Sequence, residues 1–72
     1  MLKMRIRFNK TVAVDYSDPY AEDTDCLTFQ KGTVIEVSEI VPLSQQFVNL
    51  NLPSGIVLFD VRKDCFEEMK KL

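Results

Sequence analysis

The residues able to do chemistry in this chain are carboxylates and thiols: its 72 positions hold eleven Asp and Glu, two Cys and no His. Without an imidazole there is no Ser-His or Cys-His nucleophilic pair, and the usual acid/base group near neutrality is missing. Cys65 follows Asp64 in a segment with helical spacing, where a helix N-terminus would favour a reactive thiolate. A buried structural thiol is the plainer reading. Cys26 and Cys65 cannot complete a zinc site without other ligands, and sequence alone leaves their pairing open. Asp23-Thr24-Asp25 has the opening spacing of a calcium loop, but neither the required glycine nor the closing glutamate follows. Glu67 and Glu68 would point apart on a helix. No catalytic, metal or cofactor site is predicted, and enzymatic activity is not expected.

Charge narrows the partner. Nine basic residues against eleven acidic ones give a net charge of −2, which lacks the footprint usual for nucleic-acid binding. The distribution is uneven, because Lys3, Arg5, Arg7 and Lys10 precede Asp15, Asp18, Glu22, Asp23 and Asp25. Pairing between solvated faces of the same molecule accounts for this most simply. The alternatives are a basic strand meeting phosphates and an acidic loop meeting a cationic partner.

The elements that must carry these groups read as strands. From Leu2 to Tyr16 the even positions are mainly apolar and the odd ones mainly polar, the period of a half-buried strand. A hairpin turning at Asn9, Lys10 and Thr11 would set Phe8 opposite Val12 and Arg5 opposite Asp15; one long strand preserves the same alternation. SDPYAEDTDC, residues 17–26, reads as an exposed acidic loop. Leu27 and Phe29 return to the core before a Lys31-Gly32 turn, and Thr33 to Val41 forms a strand with Ile35 and Val37 inward. Pro42 to Gln46 ends it.

Phe47 to Val61 reads as a second hairpin. A two-residue turn at Ser54-Gly55 pairs Leu52 with Val57, Leu50 with Phe59 and Val48 with Val61 on one buried face. Phe47, Ile56 and Leu58 then lie outward as an uncovered apolar surface. The tail DCFEEMKKL has Asp64 as N-cap with Glu67 three residues later, and predicts a short terminal helix docked through Phe66 and Met69. At this length one modest core forms, so residues 1–72 make a single domain. Neither a signal peptide nor a transmembrane span is legible, a cytoplasmic setting follows as the default, and Met1 is compatible with a complete small chain.

VAVDY at residues 12–16, the polar excursion after it, and LTFQKGTVIEV at residues 27–37 together resemble the opening half of a Src-homology-3 domain. The resemblance covers about residues 11 to 67 and weakens toward VRKDCFE. It implies a small all-β barrel of five to six antiparallel strands, to which the residue pattern adds the N-terminal hairpin or extended strand and the short C-terminal helix. It also implies an aromatic groove for polyproline peptides with an acidic loop beside it. Tyr16 matches a groove tyrosine and Phe47 stands nearest the groove tryptophan, without its indole donor. Val14, Arg62 and Cys65 replace the first tyrosine, the proline and the last tyrosine. Ordinary proline-rich ligands are therefore not expected.

The expectation is a non-catalytic protein-interaction module without a membrane role. Its partner surface is Phe47, Ile56 and Leu58, with Tyr16, Tyr20, Glu22, Asp23 and Asp25 as a second candidate. Its partner is another protein, either a basic segment or a second copy forming a homodimer. The alternatives are nucleic-acid binding through Lys3, Arg5 and Arg7, and an acidic inhibitor of a basic partner.

Overall fold

The computed structural model describes residues 4–20 and 25–69. Within them the chain forms β1 (Met4–Phe8), β2 (Val12–Ser17), β3 (Asp25–Phe29), β4 (Val34–Val37), β5 (Glu39–Pro42), β6 (Phe47–Asn51), β7 (Val57–Arg62) and β8 (Phe66–Met69). A 3-10 turn at Lys63–Cys65 precedes β8. All pairings are antiparallel, in a three-stranded sheet ordered β4-β1-β8 and a five-stranded sheet ordered β3-β2-β7-β6-β5. The all-β class matches the sequence reading. The sheets do not close into a barrel.

Neither N-terminal alternative forms. β1 and β2 keep the inward phase of the even positions, with Ile6 and Phe8 fully buried and Val14 nearly so. Yet β1 pairs with β4 and β8, whereas β2 pairs with β3 and β7. The groups a hairpin would need are committed elsewhere: Phe8 donates to the Thr33 carbonyl at 2.9 Å, Gly32 to Phe8 at 2.7 Å and Asn9 to Cys65 at 2.9 Å. The Asn9–Thr11 link therefore carries the chain from one sheet to the other. A similar break at Ser38, whose amide donates to the Asn51 carbonyl at 2.7 Å, splits the single strand expected over Thr33–Val41 into β4 and β5. The break at Ser38, together with the strand that forms at residues 66–69, raises the count to eight from the five to six expected.

The terminal helix is also replaced. Residues 66–69 pair with β1 in the register Phe8↔Phe66, Arg7↔Glu67, Ile6↔Glu68 and Arg5↔Met69. A helix this short is marginal in water, whereas an edge strand gains ladder bonds from β1 and buries Phe66 beside Phe8. Met69 remains exposed. The rest of the expected helix, Lys70 to Leu72, lies outside the described residues.

The core lies between the sheets. Ile6, Phe8, Val37 and Phe66 face it from one side, and Val14, Val48, Leu50, Leu58 and Val61 from the other. Phe8 stacks on Phe29 with ring centroids 4.7 Å apart, and Phe66 meets its edge at 6.5 Å. Each fully buried side chain of this size contributes roughly 1.5–3 kcal/mol of hydrophobic transfer free energy. Cys65 is buried and Cys26 exposed; both thiols are free. Among the described residues no helix is long and apolar enough to cross a membrane.

Candidate functional site

The outward face of the β6–β7 hairpin is determined by its turn and by one irregularity. Leu52 donates to the Ile56 carbonyl at 2.8 Å and Gly55 donates to Leu52 at 3.0 Å, so the loop is Pro53-Ser54-Gly55. Proline suits the second position of a type I turn, and Gly55 takes the positive φ of 96° that follows such a turn in a three-residue hairpin. The loop is one residue longer than the two-residue turn expected. The pairs next to it are accordingly Asn51↔Val57 and Leu50↔Leu58.

Farther from the turn the register changes to Val48↔Val61 and Phe47↔Arg62. Asn49 thus faces two residues, Phe59 and Asp60, which is the count of a β-bulge. Asp60 has φ 54°, and its amide donates to the Asn49 Oδ1 at 3.2 Å. Aspartate enters this left-handed region more readily than most non-glycine residues.

A one-residue change of register exchanges the faces of a strand. Leu58, expected outward, is fully buried, and Ile56 packs against the core. Their places on the outer face are taken by Val57 and Phe59, both half-buried. Phe47 is outward as expected, at the start of β6, where Ser44 Oγ accepts its amide at 3.2 Å and its carbonyl accepts the Leu43 amide at 3.0 Å. Val41, opposite Asn49, shares this face. Val41, Phe47, Val57 and Phe59 therefore share an outer face with no place in the core cluster, with Asn49 and Asn51 of the middle strand between them. Sequence reasoning missed Val57 and Phe59 because Ile56–Phe59 is apolar throughout, so either phase of β7 buries a plausible set, and it missed Val41 because the break at Ser38 resets the phase read from Ile35 and Val37.

The edges of this face are acidic. Asp15 stands opposite Phe59 and is exposed, and Glu39 stands opposite Asn51, whose side-chain amide donates to it at 3.2 Å. Arg62, opposite Phe47, is held by Asp64: Nε lies 3.3 Å from one carboxylate oxygen and Nη2 3.3 Å from the other. Its charge is locally matched.

The second candidate group is only partly brought together. Tyr16 lies opposite Leu58, half-buried, with its inner side packed against the core. Tyr20 is 94% exposed, and its amide donates to the Asp18 carboxylate at 2.9 Å in an Asx-type turn. Asp25 opens β3, exposed. Glu22 and Asp23 lie outside the described residues. Of the altered groove positions, Val14 and Cys65 are buried and Arg62 is exposed.

The basic strand finds acidic neighbours other than those expected. Arg5 pairs with Glu36 at 4.0 Å and not with Asp15, while Nε of Arg7 donates to Glu67 at 3.1 Å and Nη2 donates to the same oxygen. Cross-strand pairing at exposed positions matches the charges of Arg5 and Arg7 at little gain in stability. Lys3 lies outside the described residues.

The fold and site define a small two-sheet antiparallel domain whose acid-edged outer face carries four apolar side chains around Asn49 and Asn51. Comparison with protein-family models, with curated proteins and with solved structures yields no match.

Proposed function

We propose that this chain is a divergent Src-homology-3-like domain acting as a non-catalytic protein-interaction module in a reducing, cytoplasmic setting. The fold assignment is supported by the way the motif maps onto elements: VAVDY forms β2, LTF lies in β3, Gly32 turns at φ 92°, and the acidic segment links β2 to β3. The single observation that carries the function is the outward group of Val41, Phe47, Val57 and Phe59, which the core does not use. A sheet face with two phenylalanines at this exposure has the character of a partner surface.

Asp15 and Glu39 beside that group, with Arg62 engaged by Asp64, favour a partner segment that is apolar at its centre and carries Lys or Arg on its flanks. Homodimerisation would use the same apolar group but would bring like acidic edges together. Nucleic-acid binding finds less support, since Arg5 and Arg7 face carboxylates within their own sheet.

The test is an amide-shift titration of the labelled protein at low salt with a peptide holding an aromatic centre between lysines. Shifts centred on Phe47, Asn49, Val57 and Phe59, lost in Phe59→Gln and weakened in Asp15→Asn, are the expected result. Binding that persists unchanged in both variants overturns the surface, and absence of binding overturns the partner.

A further inference from the structure

We propose that the Asp60 bulge is a register latch: β7 has a second, bulge-free register in which Leu52–Val57, Leu50–Phe59 and Val48–Val61 pair, and Ile56 and Leu58 replace Val57 and Phe59 on the outer face. Register is normally enforced because a one-residue slip turns polar side chains into the core. That penalty is absent between the turn and the bulge, where β7 begins Val57-Leu58-Phe59 directly after Ile56. Both registers bury apolar pairs against Leu50 and Leu52. Both also share Val48↔Val61, so the slip is confined to the stretch between Asp60 and the turn.

The turn favours the observed form, in which Leu52 donates to Ile56 around Pro53-Ser54-Gly55; in the other, Ser54-Gly55 would be closed by Pro53 and Ile56 through a single bond, because Pro53 has no N–H, with Gly55 supplying a positive φ. What holds the observed register is a bulge whose Asp60 sits at φ 54° and whose amide is satisfied by the side chain of Asn49. Against the second register stands size, since Phe59 would enter a core now filled at that level by Leu58, which is fully buried. The bulge-free register is consequently the minor state, at the roughly 0.1–10% typical of an accessible alternative conformer.

The slip has a reach beyond its own strand. β2 pairs with β7 only through Asp15↔Phe59, Tyr16↔Leu58 and Ser17↔Val57, all on the turn side of the bulge. Changing the phase of Leu58 re-registers these contacts at the end of β2. The latch therefore couples the composition of the outer face to the pairing of Asp15, Tyr16 and Ser17. This consequence rests on the outer face being the partner surface, whereas the latch itself does not.

The test reads strand pairing in the partner-free protein and is thus independent of any binding result. Relaxation dispersion is expected at amides of residues 49–51 and 57–60, with cross-strand contacts reporting Leu50–Leu58 in the ground state. Asp60→Val, which resists positive φ, is expected to raise the Leu50–Phe59 population about tenfold. Removal of Asp60 takes out the extra residue, makes the observed register continuous and is expected to abolish the exchange. Absence of exchange in the unmodified chain, or its persistence after Asp60 is removed, overturns the latch even if Asp60→Val does not fold.

Discussion

The side-chain carbonyl of Asn49 accepts the backbone amide of Asp60 at 3.2 Å, bridging the one place where the β6–β7 ladder counts two residues against one. This contact substitutes for a backbone bond and decides which residues of β7 are inside. It makes the first prediction a pair. Asn49→Ala should cost about 1 kcal/mol, the net worth of a typical hydrogen bond, and Asp60→Gly should be neutral or slightly stabilising because glycine adopts φ 54° without steric cost. Urea unfolding of both variants measures the two signs; an unchanged midpoint for Asn49→Ala would show that the bulge does not depend on this acceptor.

Neighbouring residues of β7 should behave oppositely. Leu58→Ala removes a fully buried side chain and should cost about 2–5 kcal/mol, a large share of the stability a chain of this size has. Phe59→Gln, on the outer face, should cost about 1 kcal/mol or less while removing an apolar contact for a partner. A Leu58→Asp substitution, attractive while Leu58 is read as outward, would test folding instead of binding. Thermal melts of the two variants side by side check the difference; equal losses would contradict the bulged register.

The two glycines at positive φ differ in their surroundings. A Cβ at Gly32 would meet nothing within 4 Å, so Gly32→Ala should cost only the conformational penalty, about 1–2 kcal/mol. At Gly55 the same penalty applies and the Cβ would also lie 3.2 Å from the Pro19 ring. Gly55→Ala is accordingly expected to be the more damaging of the two, and a double-mutant cycle with Pro19→Ala should recover the excess. Failure of that cycle to show coupling would mean that the ring of Pro19 yields freely.

The thiols should separate cleanly under native conditions. Cys26 is exposed on β3 and should react with a maleimide or aromatic disulfide reagent at the rate of an open thiol, while Cys65, 8% exposed, should react only through opening of the structure. Mass spectrometry over a labelling time course checks this. Equal rates would place Cys65 at the surface.

Much of the fold is legible in local pattern. The inward phase of Ile6, Phe8, Val14, Leu27, Phe29, Ile35 and Val37 follows from alternation, because a strand buried on one face must repeat every second residue. The turn at Gly32 and the hairpin around Gly55 follow from residues that tolerate positive φ. Less was legible at the candidate site. Phe47 was found, but Val57 and Phe59 were hidden behind Ile56 and Leu58, since periodicity cannot choose a phase within four consecutive apolar residues.

The sequence by itself determined where β1, β2, β3, β6 and β7 run, which side of most of them is apolar, and that the chain lacks a histidine-based nucleophilic site. Tertiary structure alone decided that β1 and β2 belong to different sheets, that residues 66–69 become the strand beside β1 rather than a helix, and that Asp60 forms a bulge. The physical reason is common to all three. Each choice depends on which donor or acceptor from a distant part of the chain is free to pair: the Thr33 carbonyl for Phe8, the β1 ladder for β8, and the Asn49 side chain for Asp60. Local residue preferences are nearly balanced at these points, so the long-range hydrogen-bonding partner settles the outcome.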